Sequence, residues 1–403
     1  MRIRRILNAR LPGQTAPVTI DISEEGRISG TSPAVASPPD AHTIDAGGHL
    51  VLPALIDIHL HLDLAYSLEI VPENKSGTLL EAIHLWSEAK RTLTAENVRE
   101  RAIRAIREEA AYGVGTIRSH VDVGSTAGLR LVEGVLAARE ATRDLVDIQL
   151  VAFPQDGVLR DPGAIDRMRE ALKMGVDLVG GIAHHERTPT DSQRQIELIF
   201  DLAQEFDRDI DCHIDETDSP ASRCVEYLAA ETVKRGWQGR VTASHVCALA
   251  GYDEPHASKV IGLLAEAGVH VVTNPQVNLH LQGRFDSYPK RRGLTRVREL
   301  MARGVNVSAG QDCICDPFYP LGTGNMLDVA HTLVHADHLS LPQQIAACVD
   351  AVTINPAKAM RRTDYGLLPG CRADLVIFPV ESVQEAVRLR PRPSAIIRRG
   401  RRL

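Results

Sequence analysis

The 403-residue chain has little that would tie it to a membrane, a nucleic acid or an oxidising compartment. No stretch has the length and apolarity of a membrane span. The opening "MRIRRILNARLPG" is basic but has no apolar core or cleavage site, so it does not read as a secretory leader. The formal net charge of −6 gives no electrostatic reason to bind DNA, RNA or an anionic bilayer. Two short basic runs, "PKRR" (289–292) and "RRGRRL" (398–403), read as solvated surface or tail. The 7 cysteines are scattered, odd in number and without metal-finger spacing, as reduced thiols of a cytoplasmic protein would be. Low-complexity linkers are absent as well.

What is present is a repeated alternation. An amphipathic helix ends at a glycine and a β-branched apolar strand follows, at Gly113, Gly175, Gly268 and Gly304. Glycine after a helix accepts the left-handed conformation that ends it, and valine then opens a strand. Eight strands are expected: 51–60, 115–123, 145–155, 176–184, 209–216, 241–247, 269–276 and 305–312. Helical stretches such as 79–91, 94–112, 192–205 and 220–234 lie between them. Eight such alternations predict an α/β fold of the (β/α)8 TIM-barrel type over 54–363. An open doubly wound sheet needs no eighth strand. Residues 1–53 and 364–403 lack helical period and carry short strand-like pieces, "PVTIDIS", "HTIDAGG", "ADLVIFP" and "SAIIRRG". They predict a small β-sandwich domain built from both termini.

Chemistry collects at the C-terminal ends of these strands, where barrel enzymes place active sites. In "LIDIHLHLD", His59 and His61 are two apart and so face one side of a strand. Two buried imidazoles on one face need partners. Strand five ends in "DCHIDE", with His213 and Glu216; strand six in "TASH", with His245; strand eight in "SAGQD", with Asp312. Imidazoles and a carboxylate together suit a divalent first-row ion with an open water position. His120 ends strand two and reads equally as a pocket residue or as packing. His184 and His185 end strand four; one of them can face the mouth, and surface placement is the favoured reading. Asp63 is expected to orient a ligand histidine, His280 to lie in a structured loop, and Cys212 and Cys247 to pack.

The HxH after strand one, the histidines after strands five and six, and the aspartate after strand eight resemble the amidohydrolase superfamily. Over almost the full chain, "NARLPG", "SGTLLEAI", "VDIQLVAFPQDG", "DCHIDE", "GRVTASH", "VNLHLQGRFDSYPKRRG" and "DPFYPLGTGNML" resemble bacterial cytosine deaminases. The resemblance implies one divalent metal per subunit, Fe(II) or Zn(II) with Mn(II) also accepted, held by His59, His61, His213 and Asp312. Strand four, "DLVGGIAHHE", has no lysine of the kind that bridges two metals in binuclear members. By the same resemblance His245 polarises the attacking water, and Glu216 and Asp312 move protons. Gln155 meets the amide edge of a pyrimidine and Phe318 stacks over it or sits in the core. Homo-oligomers and a small nucleobase substrate are implied too. Cytosine deaminases carry a second aspartate directly after the strand-eight ligand; here Cys313 stands there. That departure puts the base in question: cytosine, 5-methylcytosine, or another cyclic amidine such as isoguanine or an aminotriazine. A non-enzymatic scaffold would be expected to have lost ligands, and here each expected ligand and Glu216 are present.

Overall fold

A computed structural model describes residues 2–34 and 40–403. Eight parallel strands follow one another in sequence order around a single sheet: Leu55–Leu60, Val114–Asp122, Asp147–Phe153, Leu178–Ile182, Ile210–Ile214, Val241–His245, His270–Thr273 and Val307–Ala309. The first and last meet through a parallel bridge between Leu60 and Asp312. At that seam the Asp312 N–H donates to the His59 carbonyl at 2.7 Å, and the His61 N–H to the Asp312 carbonyl at 3.0 Å. The Asp57 carboxylate also spans it, accepting from the backbone N–H groups of His59 and Gln311. The bonds that close the barrel therefore run through residues expected to carry its chemistry.

Helices cover the outside, and their ends follow the sequence. Thr94 caps the helix Ala95–Ala111 by accepting from the Asn97 N–H, and Thr188 caps Pro189–Phe206 in the same way. Gly175 ends the helix Ala164–Met174 at φ 107, a conformation costly for any residue with a Cβ.

The termini form two small four-stranded sheets. One joins Ile28–Pro33, Val18–Ile22, Arg5–Ala9 and Thr43–Asp45; the other joins Arg401–Arg402, Ala395–Arg398, Leu375–Phe378 and Leu50–Pro53. All neighbours run antiparallel except Arg5–Ala9 with Thr43–Asp45. The alternation of strands puts Leu375 and Ile377 into a core shared by the two sheets, with Ile6, Ile20 and Val51. Val376 and Phe378 face the other way, into the barrel's core with Leu50 and Leu52. A strand buried on both faces has no polar face to show, hence its continuous apolar sequence.

Three expectations need correction. The strand expected over 51–60 is two strands: Leu50–Pro53 belongs to a terminal sheet, and the barrel begins after Ala54. The C-terminal segment holds a helix, Val383–Leu389, capped by Ser382, in a region expected to lack helical period. Several strands also end sooner than expected, so that Gln155, His184, Glu216 and Asp312 stand just beyond them. At Gln155, His184 and Glu216 the backbone is free of the ladder and can turn a side chain inward, whereas Asp312 stays bridged to Leu60 at the seam.

Candidate active site

The site is built at the C-terminal mouth. His59 and His61 leave the first strand on the same side, His213 is on the fifth, and His245 ends the sixth. His245 and Asp312 have φ of 73° and 68°, in the left-handed region that non-glycine residues avoid. Such backbone costs about 1–3 kcal/mol per residue and persists where the surroundings impose it.

The side chains converge. Asp312 Oδ1 lies 3.5 Å from Nε2 of both His59 and His61. Nε2 of His61 and Nε2 of His213 are 3.1 Å apart. Donor atoms of His59, His213, His245 and Asp312 all lie within 4.8 Å of one another. His245 Nδ1 is 3.6 Å from Glu216 Oε1 and 3.9 Å from Asp312 Oδ2. His245 thus stands as near the point of convergence as the residues expected to be ligands.

Burial sets the charge states. It pushes His61 down to about 4 and His213 and His245 well below the ordinary histidine range, so these rings are neutral with lone pairs available. Burial, together with Asp312 nearby, pushes Glu216 well above the usual carboxylate range, so it keeps a proton. For Asp312 burial acts upward too, but the surrounding His59, His245 and His61 outweigh it and hold the carboxyl below that range. One acid of the pair is neutral and the other ionised, as opposite proton-transfer roles require.

His59 is oriented by a chain inside the barrel. Its Nδ1 meets Ser244 Oγ at 3.0 Å, Ser244 Oγ donates to Asp211 at 2.9 Å, and Asp211 accepts from the buried Arg118 at 2.8 Å. This leaves His59 Nε2 buried, facing Asp312 and without a hydrogen-bond partner. Neutral imidazoles, an ionised carboxylate and that orphaned nitrogen fit a divalent metal ion. On the opposite side Asn278 Nδ2 donates to His245 Nδ1 at 3.0 Å, and Phe153 stacks on His213 with centroids 4.1 Å apart.

A cavity of about 610 Å³ opens over the cluster, lined by His61, His213, Glu216, His245 and Asp312 together with Gln155, Cys313 and Phe318. His59 lies beneath them, fully buried. His184 and His185, expected at the surface, both line this cavity. His120 does not; it packs 4.2 Å from the His59 ring, with Nε2 3.6 Å from Asp211. Among the described residues Asp63 makes no hydrogen bond to a ligand histidine; its carboxylate accepts from the Asp122 N–H instead. His280 is in a short helix, Pro275–Leu281, rather than a loop. Cys212 and Cys247 are buried in packing. Ser244, Asp211, Asn278 and Phe153 went unanticipated. Period-two alternation, from His213 back to Asp211 and from Gln155 back to Phe153, was the signal that could have found two of them.

The amidohydrolase family profile matches residues 42–403. A 5-methylcytosine deaminase from Klebsiella pneumoniae, solved with 5-fluorocytosine, is 42% identical with a TM-score of 0.96, covering 99% of this chain and 97% of that one. Pterin deaminase of Rhizobium rhizogenes is 32% identical over 381 residues, 94% of this chain and 86% of its own. N-isopropylammelide isopropyl amidohydrolase of a Pseudomonas species (strain ADP) is 31% identical over 363 residues, 89% and 87%. Among the described residues no helix is long and apolar enough to cross a membrane. A parallel barrel, a buried His/Asp cluster at its C-terminal mouth and a match over most of the chain agree: the protein belongs to the amidohydrolase family, as a deaminase-type hydrolase acting on C–N bonds.

Proposed function

We propose that the protein hydrolyses the exocyclic amine of 5-methylcytosine and cytosine, giving thymine or uracil and ammonia, with one divalent metal held by His59, His61, His213 and Asp312. Fe(II) and Zn(II) both suit this donor set, and Mn(II) is accepted by it. When bound, such an ion supplies hydroxide near neutral pH by lowering the pKa of water towards roughly 7.

The remaining work belongs to the chain. The primary amide of Gln155 both donates and accepts, so it matches a ring N–H beside a carbonyl. Phe318 covers the ring. Glu216, protonated by its burial, gives its proton to the ring nitrogen as water adds to the amidine carbon. Asp312, ionised, takes the proton of the attacking water and returns it to the departing amine. His245 stabilises charge that develops on the adding oxygen. As the C–N bond breaks, the added hydroxyl gives its remaining proton back to Glu216 and becomes the ring carbonyl, so water's oxygen replaces nitrogen, ammonia leaves and both carboxyl groups regain their starting states.

The observation that carries the choice of base is Cys313. It lines the cavity, is 2% exposed, and has its sulfur 3.8 Å from Asp312 Oδ1. Burial, with Asp316 and Asp312 close by, pushes its thiol well above the usual range, so this wall is neutral. A neutral, soft wall accepts a methyl group where a carboxylate would not. A second reading, a larger cyclic amidine, draws on the cavity of about 610 Å³, which one six-membered ring does not fill. Ammonia release from 5-methylcytosine, cytosine, isoguanine, pterin and an aminotriazine separates them. Turnover of the two cytosines above the rest is expected; turnover confined to pterin or a triazine overturns the proposal.

A further inference from the structure

Lys90 caps the C-terminus of the helix Leu79–Ala89, whose N-terminal half (Leu79, Leu80 and Ile83) walls one side of the cavity. Its side chain is 0% exposed. A lysine is almost never so buried unless paired. Here Nζ donates to Asp122 and to Asp156, each at 2.7 Å. Burial opposes the charge, but the two carboxylates outweigh it and push Lys90 up to about 12. Gly124 leaves space for this triad: a Cβ there would lie 2.6 Å from Asp156 Oδ2 and 3.2 Å from Nζ. None of the three charged groups lines the cavity.

Asp156 follows Gln155 in a tight turn. The Gly157 N–H donates to the Pro154 carbonyl at 2.8 Å, with Gly157 at φ 92, so Gln155 and Asp156 are the turn's two central residues. Just beyond it the Glu186 carboxylate accepts from the N–H groups of Val158 and Leu159 at 2.7 and 2.9 Å. The turn is therefore held from both sides by buried charge, while Gln155 alone of its central pair reaches the cavity.

We infer that Lys90 is a positioning residue: through its ion pair with Asp156 it holds the Pro154–Gly157 turn so that Gln155 faces the substrate, and it ties the Leu79–Ala89 wall to that turn. The inference rests on the proposed role of Gln155 at the amide edge of the ring. Cutting the ion pair frees the turn without touching the metal ligands or the proton-transfer groups. A small misplacement of a binding group costs up to about 10²-fold, and the loss falls on KM where the contact is made equally in ground and transition states.

The test is a double-mutant cycle on 5-methylcytosine turnover with metal content measured for every variant. Gln155→Ala and Lys90→Met are each expected to raise KM by about 10–100-fold with full metal and a smaller change in kcat. The double variant should be no worse than Gln155→Ala alone, because both remove one interaction. Asp156→Asn, at a side chain 26% exposed, provides the same comparison if Lys90→Met does not fold. Additive effects, or a lower melting temperature with KM unchanged, would show that Lys90 only supports the fold. An unchanged KM in Gln155→Ala removes the premise itself, and is told apart because that variant leaves Lys90 intact.

Discussion

Replacing Cys313 with aspartate should turn the enzyme from 5-methylcytosine towards cytosine. The thiol is 2% exposed and 3.8 Å from Asp312 Oδ1. Aspartate in its place adds polar oxygens to a wall already flanked by Asp312, Asp316 and Glu216. A methyl buried against the native wall gains roughly 0.8 kcal/mol, about fourfold. Hydrophobic pockets that also exclude by shape discriminate one methyl by about 10–200-fold. Two like charges 4 Å apart repel by about 4 kcal/mol at an effective dielectric of 20, so the new carboxyl should take a proton or strain its neighbours. Either way it offers the methyl a polar surface. Comparing kcat/KM for both bases, in wild type and Cys313→Asp at equal metal loading, reads the effect as a ratio that cancels general loss of activity. The preference for 5-methylcytosine should fall at least about fourfold. A wild type that strongly prefers cytosine, or a ratio the substitution leaves alone, would refute the reasoning.

Other residues make separate predictions. Glu216→Gln is near-isosteric but cannot shuttle a proton, so it should keep its metal and lose about 10²–10⁴-fold in kcat; near-normal turnover would remove Glu216 from the chemistry. Ser244→Ala cuts the chain from Asp211 to His59 and should weaken metal affinity about 10–100-fold by titration against a chelator. His270, away from the site, is pushed down to about 4 by burial. Its unfolded form takes up a proton near 6.5 and its folded form does not, so stability present above 6.5 is lost as pH falls towards 4. At pH 5 that loss is about 2 kcal/mol. His270→Gln should therefore show a shallower decline than wild type in urea unfolding between pH 7 and 5, and an equal decline would mean the ring is not buried neutral.

How much could be read from the sequence follows from how each residue acts. The HxH pair was legible because period two on a strand forces His59 and His61 to one side. His213, His245 and Asp312 were legible because each stands at or just beyond the C-terminal end of a strand. Ser244, Asp211 and Arg118 act through one another inside the barrel, and nothing in their own spacing marks three separate strands as one chain. Asp63 misled because nearness in sequence to His61 does not fix the direction of its carboxylate, which the Asp122 N–H captures. His184 and His185 misled because the fourth strand stops at Ile182 and a single helical turn swings both rings to the cavity. The strand expected over 51–60 overran the 53/54 boundary because one continuously buried run serves two sheets.

Metal-dependent deamination is tested most directly by adding metal back to stripped protein while following ammonia release from 5-methylcytosine. Activity should be absent after chelation and return in proportion to added Fe(II) or Zn(II), levelling at about one ion per chain, as a catalytic site with an open position implies. Turnover that survives stripping, or that levels only at two ions per chain, would contradict the account.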